Sequence, residues 1–203
     1  MRLIIRRTFF VLAFAFAGLS VFAQRDYKTP KHALGLEFNA TYSVLSAYRS
    51  NDYSNKSQPI YSTTGGTSII LPYQFSSDEY IAGFQTGVGF HMWGISRRDD
   101  QWRYYTIGVP VVLQLKVSKP FWLEMGFQVN ALVDENMSKD KEDADFPTFE
   151  GQGLLGFRYH IYKTCSFKGR AHIGLTPAVT RSNNVYRMFA FELGMAYLFP
   201  LKK

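Results

Sequence analysis

The sequence predicts an all-β protein, an eight-stranded antiparallel up-and-down transmembrane β-barrel. Three observations carry that reading. Apolar and polar residues alternate with period two along eight segments, the mark of strands with two unlike faces. The polar faces are rich in glycine and charge. The apolar faces hold far more bulk than the interior of so small a barrel accepts.

The best-marked segment is 121–133. Phe121, Leu123, Met125, Phe127, Val129, Ala131 and Val133 share one face, while Glu124, Gly126, Gln128 and Asn130 share the other, with Trp122 at the end. The last strand repeats the rhythm, with Phe189, Phe191, Leu193, Met195, Tyr197 and Phe199 against Ala190, Glu192, Gly194 and Ala196. In a third, Tyr105, Ile107, Val109, Val111, Leu113, Leu115 and Val117 oppose Thr106, Gly108, Pro110, Gln114 and Lys116. Residues 34–46, 80–94, 151–162 and 166–178 alternate in the same way, and Thr67–Phe75 is a shorter member. The connections then run long and tight in strict alternation. The long ones are 47–66, 96–101, 134–149 and 180–185, and the tight ones fall at 76–78, 118–120 and 163–165. Short inner turns, longer outer loops and an even strand count belong to outer-membrane barrels.

Composition narrows the classes further. The 203 residues include 18 Phe and 13 Tyr against a single Cys, which excludes a disordered chain, a disulfide scaffold and a cysteine-based zinc module. Residues 1–23 form a basic start (Arg2, Arg6, Arg7), an apolar run from Thr8 to Phe22 and a small residue, Ala23. That is a secretory signal peptide, cut after Ala23, with residues 24–203 as the barrel domain. Its apolar run is shorter than the roughly 20 residues a spanning helix needs. The net charge of +7 is less basic than it looks, because the 23 basic residues less those three leave 20 against 16 acidic ones, +4. Neither sign clusters, and no nucleic-acid partner is expected.

Alternation alone does not say which face is inside. The apolar faces carry about 40 large side chains, whereas a closed eight-stranded parallel barrel packs roughly a dozen in three layers. The apolar set therefore belongs outside, against lipid, where only helices or closed barrels satisfy every backbone N–H and C=O. Aromatic residues near strand ends (Tyr42, Tyr80, Trp102, Tyr104, Phe121, Trp122, Tyr197 and Phe199) then read as interfacial girdles. A soluble periplasmic barrel with the apolar set inside, holding a lipophilic ligand, is the competing arrangement.

The run Tyr104-Tyr105-Thr106-Ile107-Gly108-Val109-Pro110-Val111-Val112-Leu113-Gln114-Leu115-Lys116, continued by Phe121-Trp122-Leu123-Glu124-Met125-Gly126, resembles the core of the PorT-like outer-membrane β-barrel family. The leader ending in Phe22-Ala23-Gln24 and the first strand at Leu34-Gly35-Leu36 are similar too. The resemblance implies an outer-membrane barrel of the size of OmpA's or OmpX's, without an assigned activity. A few members of that family serve a protein-secretion apparatus. A last strand ending in an aromatic suits recognition by the barrel-assembly machinery, although here Phe199 is followed by Pro200-Leu201-Lys202-Lys203.

No catalytic signature appears, and no cofactor or metal is expected. The polar face assembles a lumen network from Glu37, Lys116, Glu124, Arg158, His160, Arg170, His172 and Glu192, which must pair because unpaired buried charge is costly. His91, His160 and His172 are the candidates for a lipid-modifying site, the enzymatic alternative, and hydrogen bonding inside the lumen is the plainer role. Arg97, Arg98, Arg103, Arg181 and Arg187 flank outer loops, where guanidinium groups match lipopolysaccharide phosphates bidentately. Asp140–Asp145 offers hard oxygen ligands but lacks the glycine and bidentate glutamate of a calcium loop, so it reads as solvated. Cys165 reads as a bystander thiol in an inner turn. Asn51–Ser57, with Tyr48, Tyr53 and Tyr61 around it, reads as a Tyr/Ser/Asn-rich outer loop of a composition suited to adaptable surface binding. Outer-membrane lipid, lipopolysaccharide and the assembly machinery are the expected partners, and a wide pore is disfavoured at eight strands.

Overall fold

The computed structural model describes residues 31–49, 63–76, 82–97, 100–137, 144–181 and 184–201. The leader, Tyr80, Arg98, the 51–57 loop and Asp140–Asp143 lie outside them.

Eight long strands make the barrel: β1 (His32–Arg49), β2 (Thr63–Ser76), β3 (Ala82–Arg97), β4 (Asp100–Lys116), β5 (Phe121–Met137), β7 (Phe149–His160), β8 (Cys165–Gly174) and β10 (Asn184–Pro200). Two short strands, β6 (Ala144–Asp145) and β9 (Val179–Arg181), are additions at one end. Each long strand pairs antiparallel with the next, and β1 pairs with β10 from Ala33↔Pro200 to Arg49↔Val185, which closes the sheet on itself. No strand edge is left along the barrel wall, so its backbone polar groups are satisfied without water. The strands run 10 to 18 residues, enough for the 9–11 a tilted membrane strand needs.

The two faces sort by chemistry. Outside lie Phe38, Tyr42, Leu71, Val88, Phe127, Leu155, Phe191 and Leu193, all between 51% and 68% exposed. Inside, Glu37, Gln85, His91, Gln114, Gln128, Arg158, Lys168 and Glu192 are completely buried. This is the inverse of a water-soluble protein, and it rules out the soluble barrel with an apolar interior. The molecule is a transmembrane-type barrel.

Several expected boundaries change. Strand 67–75 is longer, starting at Thr63, because Gly65 and Gly66 continue the ladder opposite Tyr42 and Thr41. Within the expected loop at 96–101, β3 and β4 stay paired out to Arg97↔Asp100. The strict alternation of long and tight connections fails there. β5 runs on to Met137, so Asp134 and Glu135 pair with Tyr105 and Tyr104 rather than lying in a loop. The expected strand 166–178 stops at Gly174, and the chain turns to make β9 beside β10. Cys165 opens β8 opposite Tyr197 with a free thiol.

Candidate functional site: the charged lumen and its outer cap

Every long strand sends polar side chains inward, because alternation fixes one face per strand and closure points that face at the axis. At mid-height three carboxylates and three cations form one network. Arg158 on β7 reaches Glu37 of β1 at 2.7 Å and Glu124 of β5 at 2.8 Å. Arg170 on β8 takes the second oxygen of Glu124 at 2.6 Å. Lys168 pairs with the second oxygen of Glu37 and, at 3.3 Å, with Glu192 of β10. His172 closes the series by bridging Glu192 and Gln152.

Neutral amides complete the coordination. Gln85 donates to Glu37 at 3.1 Å, Gln114 donates to Glu124 at 2.8 Å, and Gln85 accepts from Arg158 at 2.6 Å. Three negative charges meet three positive ones, so the buried network is balanced. Each carboxylate has two basic partners, the arrangement that offsets the cost of removing ions from water. One bond also crosses the lumen: Arg158 ties β7 to its neighbour β5 and to β1, three strands away around the barrel. Strand register is thereby fixed by side chains as well as by the backbone ladder.

Above this layer, Gln128 donates to the His91 ring at 3.1 Å and to Asn130 at 2.6 Å. Gly108 makes room for that pair. A Cβ there would stand 2.7 Å from Gln128 Nε2 and 3.0 Å from His91 Nε2. His91 stacks on Trp93, with centroids 5.3 Å apart and planes at 4°.

The mouth at the Arg97–Asp100 end is closed by an apolar cap. Leu45, Trp93, Tyr104, Ala178, Val179, Met188 and Ala190 form a buried cluster, with Leu132, Phe146 and Tyr186 packed against it. Ala178 N donates to Tyr186 O at 2.8 Å and Leu132 N donates to Thr148 O at 2.9 Å, which holds the 144–148 and 175–181 segments over the lumen. β6 and β9 pair with each other across this cap.

Of the expected network, Glu37, Glu124, Arg158, Arg170, His172 and Glu192 come together as described. Lys116 stands apart at the opposite rim, half-buried at the end of β4, with its ammonium 5.9 Å from the centre of the Trp122 ring. The His160 ring is buried but its two nitrogens take no hydrogen-bond partner among the described residues, and it packs edge-on against Trp122. Lys168, two residues before Arg170 on the same inward face of β8, completes the network. Two girdle assignments are corrected. Tyr104 and Trp122 face inward, 2% and 1% exposed, whereas Tyr42, Tyr197 and Phe199 face outward. Parity along the strand carried that information, since Tyr104 shares its face with Thr106 and Trp122 shares its face with Glu124. Glu150, buried on the face of Gln152, lies one residue before the expected strand 151–162, whereas the strand starts at Phe149.

Arg103 lies exposed on the outer face of β4, opposite Gly94 and Asn136, and Arg187 is half-buried on the outer face of β10. Arg97 and Arg181 end β3 and β9 at the same end of the barrel. Among the described residues no group of three or more His, Cys, Asp or Glu is placed to hold a metal. The three lumen histidines are at most 1% exposed, and the wall separates them from lipid.

An inverted exterior and a side-chain-filled interior define the class: small closed barrels of the outer-membrane type. Among solved structures, Neisserial surface protein A is similar, with a TM-score of 0.50 and 10% identity, over 83% of this chain and 97% of that one. The outer membrane protein OprG from Pseudomonas aeruginosa aligns with a TM-score of 0.46 and 10% identity, over 87% and 100% of the two chains. Ail, the attachment invasion locus protein of Yersinia pestis, crystallised with the heparin analogue sucrose octasulfate, aligns at 0.45 and 9%, over 85% and 100%. At these identities the likeness is one of fold. No protein-family profile matches the chain, and no curated protein matches it.

Proposed function

We propose that this chain is a non-enzymatic outer-membrane barrel that acts through its outer rim and loops rather than through its lumen. One observation supports this above the others: the interior is filled by a balanced ion-pair network and capped by an apolar cluster. Such a lumen offers neither a wide aqueous path nor a catalytic group open to lipid. The surfaces left for function are the lipid-facing band and the outer end.

At that end the arginines take the phosphate-contact role. Arg103 and Arg187 share the outward parity of β4 and β10, two residues beyond Tyr105 and Phe189 toward the loop end, where they would meet lipopolysaccharide phosphates. Arg97, Arg98 and Arg181 extend the same rim in sequence. Export by the cleaved 1–23 leader, insertion by the barrel-assembly machinery and kinship with the PorT-like family belong to the same reading.

The test is melting of the refolded barrel, read as the temperature at which unboiled protein loses its distinct gel mobility. In bilayers containing lipopolysaccharide, Arg103→Ala with Arg187→Ala should lower that temperature relative to wild type. In phosphatidylcholine alone the two proteins should melt together. Equal melting in both lipids would remove the phosphate role, and a single-channel conductance typical of a wide porin would remove the closed-lumen reading.

A further inference from the structure

Charge on the two rims sorts by end. The loop end carries Arg97, Arg103, Arg181 and Arg187 together with the exposed carboxylates Asp134 and Asp145. At the opposite end, among the described residues, Lys31, Lys119 and Lys163 are exposed, Lys116 is half-buried, and no carboxylate is exposed. In the sequence Lys202 and Lys203 follow β10 at this end, while Asp78 and Glu79 fall between β2 and β3, so the rim stays positive on balance.

Two of the lysines have the same seat. Phe121 N donates to Ser118 O at 3.3 Å, which makes 118–121 a four-residue turn with Lys119 in its second position. Cys165 N donates to Tyr162 O at 3.3 Å, and Lys163 takes the second position of that turn. His160 N donates to Pro120 O at 2.7 Å, which sets the two turns side by side. Lys31 is held at the start of β1, its carbonyl accepting from Ser76 N at 2.9 Å. Val117, Tyr162, Phe199 and Leu201, at the same end, are exposed apolar side chains.

The apolar wall thus gives way to ammonium groups within one or two residues. Lysine stems lie along apolar surface while their heads reach the polar layer. Turns of four residues carry those heads no farther than the headgroups that border the hydrocarbon. An ammonium is a point charge without the fixed fork of a guanidinium, which suits phosphodiesters that exchange past the rim.

We propose that this lysine rim binds the anionic phospholipid headgroups of the inner leaflet, with Lys119 and Lys163 as the principal contacts. The inference rests on reading the chain as an outer-membrane barrel whose short turns face inward. It is independent of the arginine contacts at the other end.

The experiment uses the full chain refolded in phosphatidylcholine vesicles free of lipopolysaccharide. Trace phosphatidylglycerol or phosphatidylcholine, spin-labelled on the acyl chain, is added, and electron paramagnetic resonance reads the fraction of each held at the barrel. One ammonium at an anionic surface is worth about a fivefold change in partition, which diluted over the whole lipid shell leaves a preference for phosphatidylglycerol of about twofold. That preference should fall toward unity in high salt. It should also fall in Lys119→Gln with Lys163→Gln, and persist in Arg103→Ala with Arg187→Ala, with the heat-dependent gel mobility kept in both. No preference in wild type would overturn the proposal, and so would a preference lost in the arginine variant but kept in the lysine variant. Equal holding of the two lipids, with lysine-dependent sedimentation on purified peptidoglycan, would overturn it in favour of the cell wall. Absence of held lipid of either kind would overturn the barrel reading and the proposal with it.

Discussion

Arg158 is the lumen residue whose loss should be felt most. It is completely buried, lies 2.7 Å from Glu37 and 2.8 Å from Glu124, and accounts for one of the three positive charges balancing three carboxylates. Arg158→Met keeps much of the volume and leaves one uncompensated negative charge in the lumen. Removing one partner of a buried pair costs about 3–5 kcal/mol. The lower end applies here, about 3 kcal/mol, because Glu37 keeps Lys168 and Glu124 keeps Arg170. Urea titration of the refolded barrel, followed by tryptophan fluorescence and by gel mobility, reads this directly. Adding Glu124→Gln restores neutrality, so the double variant should be more stable than the sum of the single losses, by about 0.5–3 kcal/mol. Were Arg158→Met to cost under about 0.5 kcal/mol, as an ordinary surface change does, the network would not be the buried, balanced structure described.

Further expectations concern the two faces. Phe191 is 68% exposed in the middle of β10, and Phe191→Arg should destabilise the barrel in phospholipid vesicles by about 2–4 kcal/mol, measured by the same titration. A loss near zero would put that side chain outside the hydrocarbon. The chain has three tryptophans, of which Trp93 and Trp122 are buried inside. In Trp102→Phe, lipids brominated along their chains should therefore quench little of the emission, whereas a girdle position for Trp122 would give strong quenching.

Alternation made the barrel legible because a membrane strand has only two environments. Hydrocarbon selects Phe, Leu and Val at every second position, and the narrow lumen selects Gly, Gln and charge at the others. That rule placed Glu37, Glu124, Arg158, Arg170, His172 and Glu192 inside without knowledge of which pairs would form. Register decides the partners, and register depends on contacts between strands far apart in the chain, such as Thr41↔Glu192 in the closing pair. The rule was misapplied where aromatic character was given more weight than parity. Tyr104 and Trp122 sit near strand ends, as girdle residues do, yet occupy the polar parity and fill the lumen's two ends. The cap was hidden for a different reason. It is built from Phe146 and Val179, outside the alternating segments, and from Ala178 at the end of one, and only their return over the mouth joins them to Trp93 and Met188.

The central claim is that the apolar faces meet lipid and the charged faces meet each other. An alternating accessibility scan along β10 tests it most directly. Single cysteines would be placed at positions 189 to 195 in a background lacking Cys165, labelled with an environment-sensitive fluorophore and challenged with a lipid-bound quencher. Strong quenching is expected at 189, 191, 193 and 195, with little labelling or quenching at 190, 192 and 194. Quenching with the opposite parity, or equal at every position, would contradict it.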